Sequence, residues 1–186
     1  MALAKGATVV DISREKVTQK EFTSRMAKVK PQLVVLNGHG SETELAGQDN
    51  GPLLDLTNAH ALKGTVTYAR SCNSAHTLGP ATVVQGAKAY IGYLQPFYMG
   101  YNRDKVIHPL EDEVAALFLE PSNHVVTSLL KGHPAGDASA RSKTLSMKTI
   151  QRLTSSDALP EDHLYAKLMW FNMINQICHG DPSATV

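Results

Sequence analysis

A chain of 186 residues with 42% hydrophobic and 19% charged residues has the make-up of one globular domain, residues 1–186, able to bury roughly 70% of the surface its unfolded form exposes, and is not expected to be disordered. Its 18 Lys+Arg and 17 Asp+Glu leave a net charge of +1 with no one-signed block, so neither nucleic acid nor an anionic membrane is an expected partner. Met1-Ala2-Leu3-Ala4-Lys5-Gly6 lacks the basic start and long apolar run of a leader, no segment approaches about 18 uninterrupted apolar residues, and Cys72 and Cys178 fit no zinc or redox spacing; a cytoplasmic protein with free thiols is expected.

Ala7-Thr8-Val9-Val10-Asp11-Ile12 is β-branched and apolar, which predicts a first strand, and Ser13 stands where a helix N-cap would, ahead of an amphipathic stretch from Arg14 to about Lys30. Pro31 ends that helix. The continuous apolar run Leu33-Val34-Val35-Leu36 predicts a strand covered on both faces, and Gly38 and Gly40 leave His39 on a tight loop at its end. Glu44-Leu45-Ala46 and Pro52-Leu53-Leu54 flank a turn-rich stretch and read as a small hairpin, with a short helical piece near Asn58 to Leu62. A third strand, Thr65 to Ala69, leads through Arg70-Ser71 to Cys72. A helix broken or bent near Gly79-Pro80 should follow, then a strand over Ala87-Lys88-Ala89-Tyr90-Ile91-Gly92-Tyr93. Strands alternating with helices predict a parallel sheet.

Beyond Leu94 the pattern turns helical. Helices are predicted over Glu111 to Leu119, Asp137 to Leu153 and His163 to Cys178, the last with Leu164, Leu168, Phe171 and Cys178 on one face, widened by Met169, Trp170, Met173 and Ile177. That helix is expected to be buried around much of its circumference, its Met and aromatic residues acting as core.

In an open α/β sheet the carboxyl ends of neighbouring parallel strands share one crevice, so His39 ending one strand and Cys72 ending another can meet. A thiol beside an imidazole is the minimum apparatus of a cysteine hydrolase. Cys72 would attack a carbonyl, His39 would take its proton and later protonate the leaving amine, and the backbone N–H groups of Gly40 and Cys72 would stabilise the oxyanion. On spacing alone the same residues also read as a small buried hydrophobe and one of the chain's eight histidines. An unrelated α/β binding domain is a further reading, although no glycine-rich phosphate loop is present. His60, His76, His108, His124, His133, His163 and His179 show no metal-ligand spacing.

His39-Gly40 after one apolar strand, Cys72 after the next, Gly86-Ala87-Lys88-Ala89-Tyr90-Ile91-Gly92-Tyr93-Leu94-Gln95-Pro96 and the terminal Gly180-Asp181-Pro182 together resemble the clan CD cysteine proteases: caspases, metacaspases, legumains, gingipains, separase and bacterial CHAT-type proteases. The CHAT-type and gingipain-like members are the nearest in motif, and the resemblance spans nearly the whole chain. It implies a three-layer α/β/α caspase-like fold with a mostly parallel central sheet. It also implies endopeptidase activity on a protein or peptide substrate, with no metal or organic cofactor. In several relatives the residue two before the catalytic cysteine lines the specificity pocket; Arg70 there would favour an acidic residue before the scissile bond, unless it pairs with a carboxylate such as Asp49 or points to solvent. Asp11 would orient His39, a role many relatives give to a backbone carbonyl. Glu42 and Asp49 would be wall residues. Asn73 and Ser74 would shape the nucleophile's loop, and Tyr93, Phe97, Tyr98 and Tyr101 would form an apolar subsite or pack on the sheet. Relatives commonly carry sensing domains, so an excised catalytic domain or a protease controlled by a separate regulatory partner is implied. The analogy points to prokaryotic defence or regulated proteolysis; the alternative is an inert caspase-like module that binds a protein.

Overall fold

The computed structural model describes residues 6–186, so the leader reading of Met1 to Lys5 lies outside them. The expected strand Ala7–Ile12 does not form: the segment is irregular, and Thr8 to Asp11 are exposed. β-branched residues favour a strand only where a neighbouring ladder and a buried face receive them, and here neither does. Nor does the helix start at Ser13, whose hydroxyl makes no capping bond. Arg14–Lys16 forms a short 3₁₀ turn, and helix α1 (Gln19–Val29) starts at Thr18, whose side chain accepts the Glu21 N–H at 3.3 Å. Lys30, left-handed at φ 48°, closes it ahead of Pro31.

The central sheet has four strands in the order β1 (Leu33–Asn37), β4 (Val66–Arg70), β5 (Ala89–Tyr93), β6 (Gln176–Gly180). β1 pairs parallel with β4 and β4 parallel with β5, whereas β6 runs antiparallel to β5. Alternation along the inner strands sends side chains to two cores. Val34, Leu36, Ala69 and Tyr90 pack with Phe22 and Met26 of α1 and Leu78 of α2 (Leu78–Val84). Val66, Tyr68, Ala89, Ile91 and Tyr93 pack with Val125 and Leu129 of α3 (Glu113–Leu130) and with Ala135 and Ala138 of α4 (Ala135–Leu153). Helices therefore flank both faces of a mostly parallel sheet. β1 is an edge strand, and Val35 is 39% exposed, so this strand is not sealed on both sides as its apolar run predicts.

The hairpin forms as β2 (Glu44–Ala46) and β3 (Pro52–Asp55), with Leu45 opposite Leu54, and Ala59–Leu62 makes the short helical piece as a 3₁₀ turn. Gly79-Pro80 does not bend a helix; both residues lie in the first turn of α2, where the missing proline N–H has no intrahelical partner to lose. Helix α3 starts from Asp112, whose side chain accepts the Ala115 N–H, and continues through Pro121 to Leu130, well past the expected Leu119.

The C-terminal segment departs most from expectation. Helix α5 (Asp162–Asn175) stops before Cys178, and Gln176–Gly180 turns back along β5 as β6. The buried face of α5 is Ala166, Met169 and Asn172, not the stripe through Leu164 and Cys178. Leu164, Trp170 and Ile174 are 57%, 50% and 46% exposed. Among the described residues no helix is long and apolar enough to cross a membrane.

Candidate active site

Parallel pairing places Asn37 opposite Arg70 at the ends of β1 and β4. His39 and Cys72 each lie two residues further on. Their loops are stitched together: Gly38 N–H donates to Arg70 O (3.3 Å), and Leu78 N–H donates to Glu42 O (2.8 Å). The Glu42 carboxylate also stands 3.4 Å from His76 Nδ1. The β2–β3 hairpin holds the His39 loop from the other side, since Ala46 N–H donates to the His39 carbonyl (3.0 Å) and Ser41 N–H to Glu44 O (2.9 Å). Glu42 thus joins the two loops, while Asp49 is exposed at the hairpin turn, accepting from the Gln48 side chain.

The two loops touch at Gly40. A Cβ on this residue would stand 3.1 Å from the Cys72 carbonyl oxygen and would collide with Ser71 Oγ, so only glycine lets the main chain approach so closely. Among the described residues, neither the Gly40 N–H nor the Cys72 N–H donates to any protein group. Two free amide donors therefore sit at adjoining loop starts, the requirement for holding an oxyanion. Ser71 Oγ is buried there with no hydrogen-bond partner. The Cys72 thiol is half-buried and His39 is exposed. No hydrogen bond joins their side chains among the described residues.

Arg70 does not pair with Asp49. Its Nη1 donates to Asn123 Oδ1 (3.0 Å) and Ser122 Oγ (3.4 Å) on α3, and among the described residues no carboxylate lies within ion-pair distance of it. Behind Ser122 lies a buried hydroxyl chain: Ser122 Oγ meets the Tyr68 hydroxyl, which meets the Tyr93 hydroxyl at 3.0 Å. Burial pushes the phenols of Tyr68 and Tyr93 above their ordinary value. Tyr93 is 3% exposed and packs edge-on against Phe97 at 4.9 Å, so it sits in the core. Phe97 is partly buried on the same side, whereas Tyr98 and Tyr101 are exposed.

Asp11 does not end a strand and makes no hydrogen bond to His39. Asn73 and Ser74 lie in the loop that carries Cys72. Asn73 is left-handed at φ 56° and its N–H donates to Gln95 O (3.4 Å). Ser71, Asn123 and His179 carry no sequence signal linking them to the site: Ser71 is an isolated small residue, Asn123 comes from a helix fifty residues away, and His179 lies just past the helix expected to end at Cys178. No protein-family model matches the chain, and no curated protein matches it.

Proposed function

We propose that this chain is a cysteine endopeptidase of caspase-like fold, cutting a protein substrate through an acyl-enzyme on Cys72. The observation that carries this reading is the in-register pairing of β1 with β4, with His39 and Cys72 each two residues beyond the last pair. The Cys72 thiol attacks the scissile carbonyl, the thiol proton passes to the His39 imidazole, and the Gly40 and Cys72 N–H groups receive the oxyanion. Collapse expels the amine, protonated by His39, and water attack on the thioester then frees Cys72. The lack of a hydrogen bond between the two side chains among the described residues fits a site whose catalytic contacts form only around substrate.

Arg70 supplies the specificity. Its guanidinium is half-buried, aimed by Asn123 and Ser122 and unmatched by any carboxylate among the described residues, so an acidic side chain before the scissile bond would complete it. The substrate is a protein or peptide, and regulated proteolysis is the class of role such an enzyme fills.

Thiol-directed peptidyl probes ending in Asp, Leu or Lys test both halves of the reading. The Asp probe should label the native protein fastest, and Cys72→Ala should abolish all labelling. His39→Ala should slow peptide cleavage by about 10²–10⁴-fold. Labelling that survives Cys72→Ala, or a folded protein that reacts with none of the probes, leaves an inert protein-binding module as the reading. A profile led by Lys removes the acidic preference alone. Arg70→Gln should lower kcat/KM on the acidic substrate by about 10–100-fold, the worth of a charge-assisted hydrogen bond.

A further inference from the structure

The loop that carries Cys72 is held from beneath by a residue of β6. His179 lies opposite Tyr90 in the β5–β6 register, and its Nε2 is 2.8 Å from the carbonyl oxygen of Ala75, three residues after Cys72. A carbonyl oxygen only accepts, so Nε2 carries the hydrogen of this bond. The N–H of the same residue, Ala75, donates to Tyr93 O at 3.1 Å. Both backbone polar groups of Ala75 are therefore tied down, one to β5 and the other to β6. The remaining strand-side tie, Asn73 N–H to Gln95 O, is longer at 3.4 Å.

Packing leaves the imidazole little room to turn away. Helix α2 comes down on it at Gly79, where a Cβ would stand 3.3 Å from His179 Cδ2 and 2.9 Å from Tyr90 Cδ1. The ring is part-buried on the face that also holds Tyr90 and Ala75. A part-buried ring packed under Gly79, with one nitrogen aimed at one carbonyl, is a strut.

We propose that His179 is a positioning residue for the nucleophile: donation from its Nε2–H to Ala75 O clamps the Cys72 loop across β5 and β6 and keeps the thiol beside the His39 loop. The assignment rests on Cys72 being the nucleophile. His179 itself touches neither thiol nor substrate, and it acts through the backbone of Ala75.

The test uses the full chain carrying Cys178→Ser, so that Cys72 is the one thiol, and follows iodoacetamide alkylation of Cys72 against pH. His179→Phe keeps an aromatic ring of similar bulk and loses the donor; His179→Gln keeps an N–H that can reach the same carbonyl. With native circular dichroism in each case, His179→Phe should slow alkylation at neutral pH by about tenfold, as loss of a positioning contact does. His179→Gln should restore the rate to within about twofold. Equal rates in His179→Phe and the parent overturn the proposal, as does a Gln variant no better than Phe. If His179→Phe does not fold, imidazole ¹⁵N NMR on the parent decides: a protonated, hydrogen-bonded Nε2 supports the strut and a bare Nε2 overturns it. A parent that cleaves no peptide removes the protease reading, while the NMR result still judges the His179 bond.

Discussion

Gly40 shows how tightly one position couples the two loops. Its missing side chain leaves the space that Ser71 Oγ occupies, and the same contact brings the Cys72 carbonyl within 3.1 Å of where a Cβ would be. Gly40→Ala should therefore cost about 1–3 kcal/mol, the usual range for overpacking, and should depress peptide cleavage by displacing the adjoining amide donors. Ser71→Ala removes a buried hydroxyl that has no partner, so by itself it should be neutral or slightly stabilising. In the double variant the collision is gone, and the two effects should fall short of additive. Urea unfolding of all four proteins measures the cycle. A double variant as unstable as the sum of the singles would show that Ser71 Oγ is not what Gly40 accommodates.

At the scale of elements, α5 separates pattern from packing. Its apolar residues nearly encircle the helix, so periodicity alone cannot say which side meets the core. The contacts decide it: Ala166 and Met169 join Phe118 and Leu153, while Leu164 and Trp170 face solvent. Met169→Ala should cost about 2–5 kcal/mol, as other deletions in a packed core do. Leu164→Lys should stay within about 0.5 kcal/mol of the parent, being a surface change. Comparison of their urea midpoints checks the assignment, and a reversed order would restore the stripe expected from the sequence. The helix ends at Asn175 because the next five residues find a free edge on β5, and pairing of Ile177 with Gly92 and Cys178 with Ile91 outweighs continuing the helical period. No Gly or Pro marks that junction, which is why it is invisible in the sequence.

Across the whole molecule, three tyrosines lie buried in the sheet between its two helical layers. Burial holds the phenols of Tyr68, Tyr90 and Tyr93 above their ordinary value. The sign follows from linkage: the folded state keeps these protons to higher pH than the unfolded chain. Their contribution to stability is therefore complete below the unfolded phenol value, about 10, and is lost as pH rises through the folded values. The urea midpoint should fall progressively as pH rises above about 10, and phenolate absorbance from these three residues should grow only as the protein unfolds. A midpoint flat across that range would mean the three hydroxyls ionise in place. Tyr68→Phe should cost about 1–3 kcal/mol at neutral pH, because it leaves Tyr93 and Ser122 hydroxyls without their shared partner.

By itself the sequence determined the short-range features: the apolar strands β1, β4 and β5, the hairpin with Leu45 and Leu54, the helices of the second half, and the loop positions of His39, Gly40 and Cys72. These follow from periodicity and turn residues within a few positions of one another. Only the tertiary structure decided which strand-forming segments actually pair. Ala7–Ile12 found no neighbour and stayed irregular, whereas Gln176–Gly180, whose first three residues read as helix, became the fourth strand because β5 offered an unpaired edge. Tertiary packing also decided the surroundings of Arg70, which turned to Ser122 and Asn123 rather than Asp49, and the core placement of Tyr93. Hydrogen bonds between residues fifty or a hundred positions apart, such as Arg70 with Asn123 and His179 with Ala75, leave no mark on local pattern, since their partners meet only once the sheet has formed.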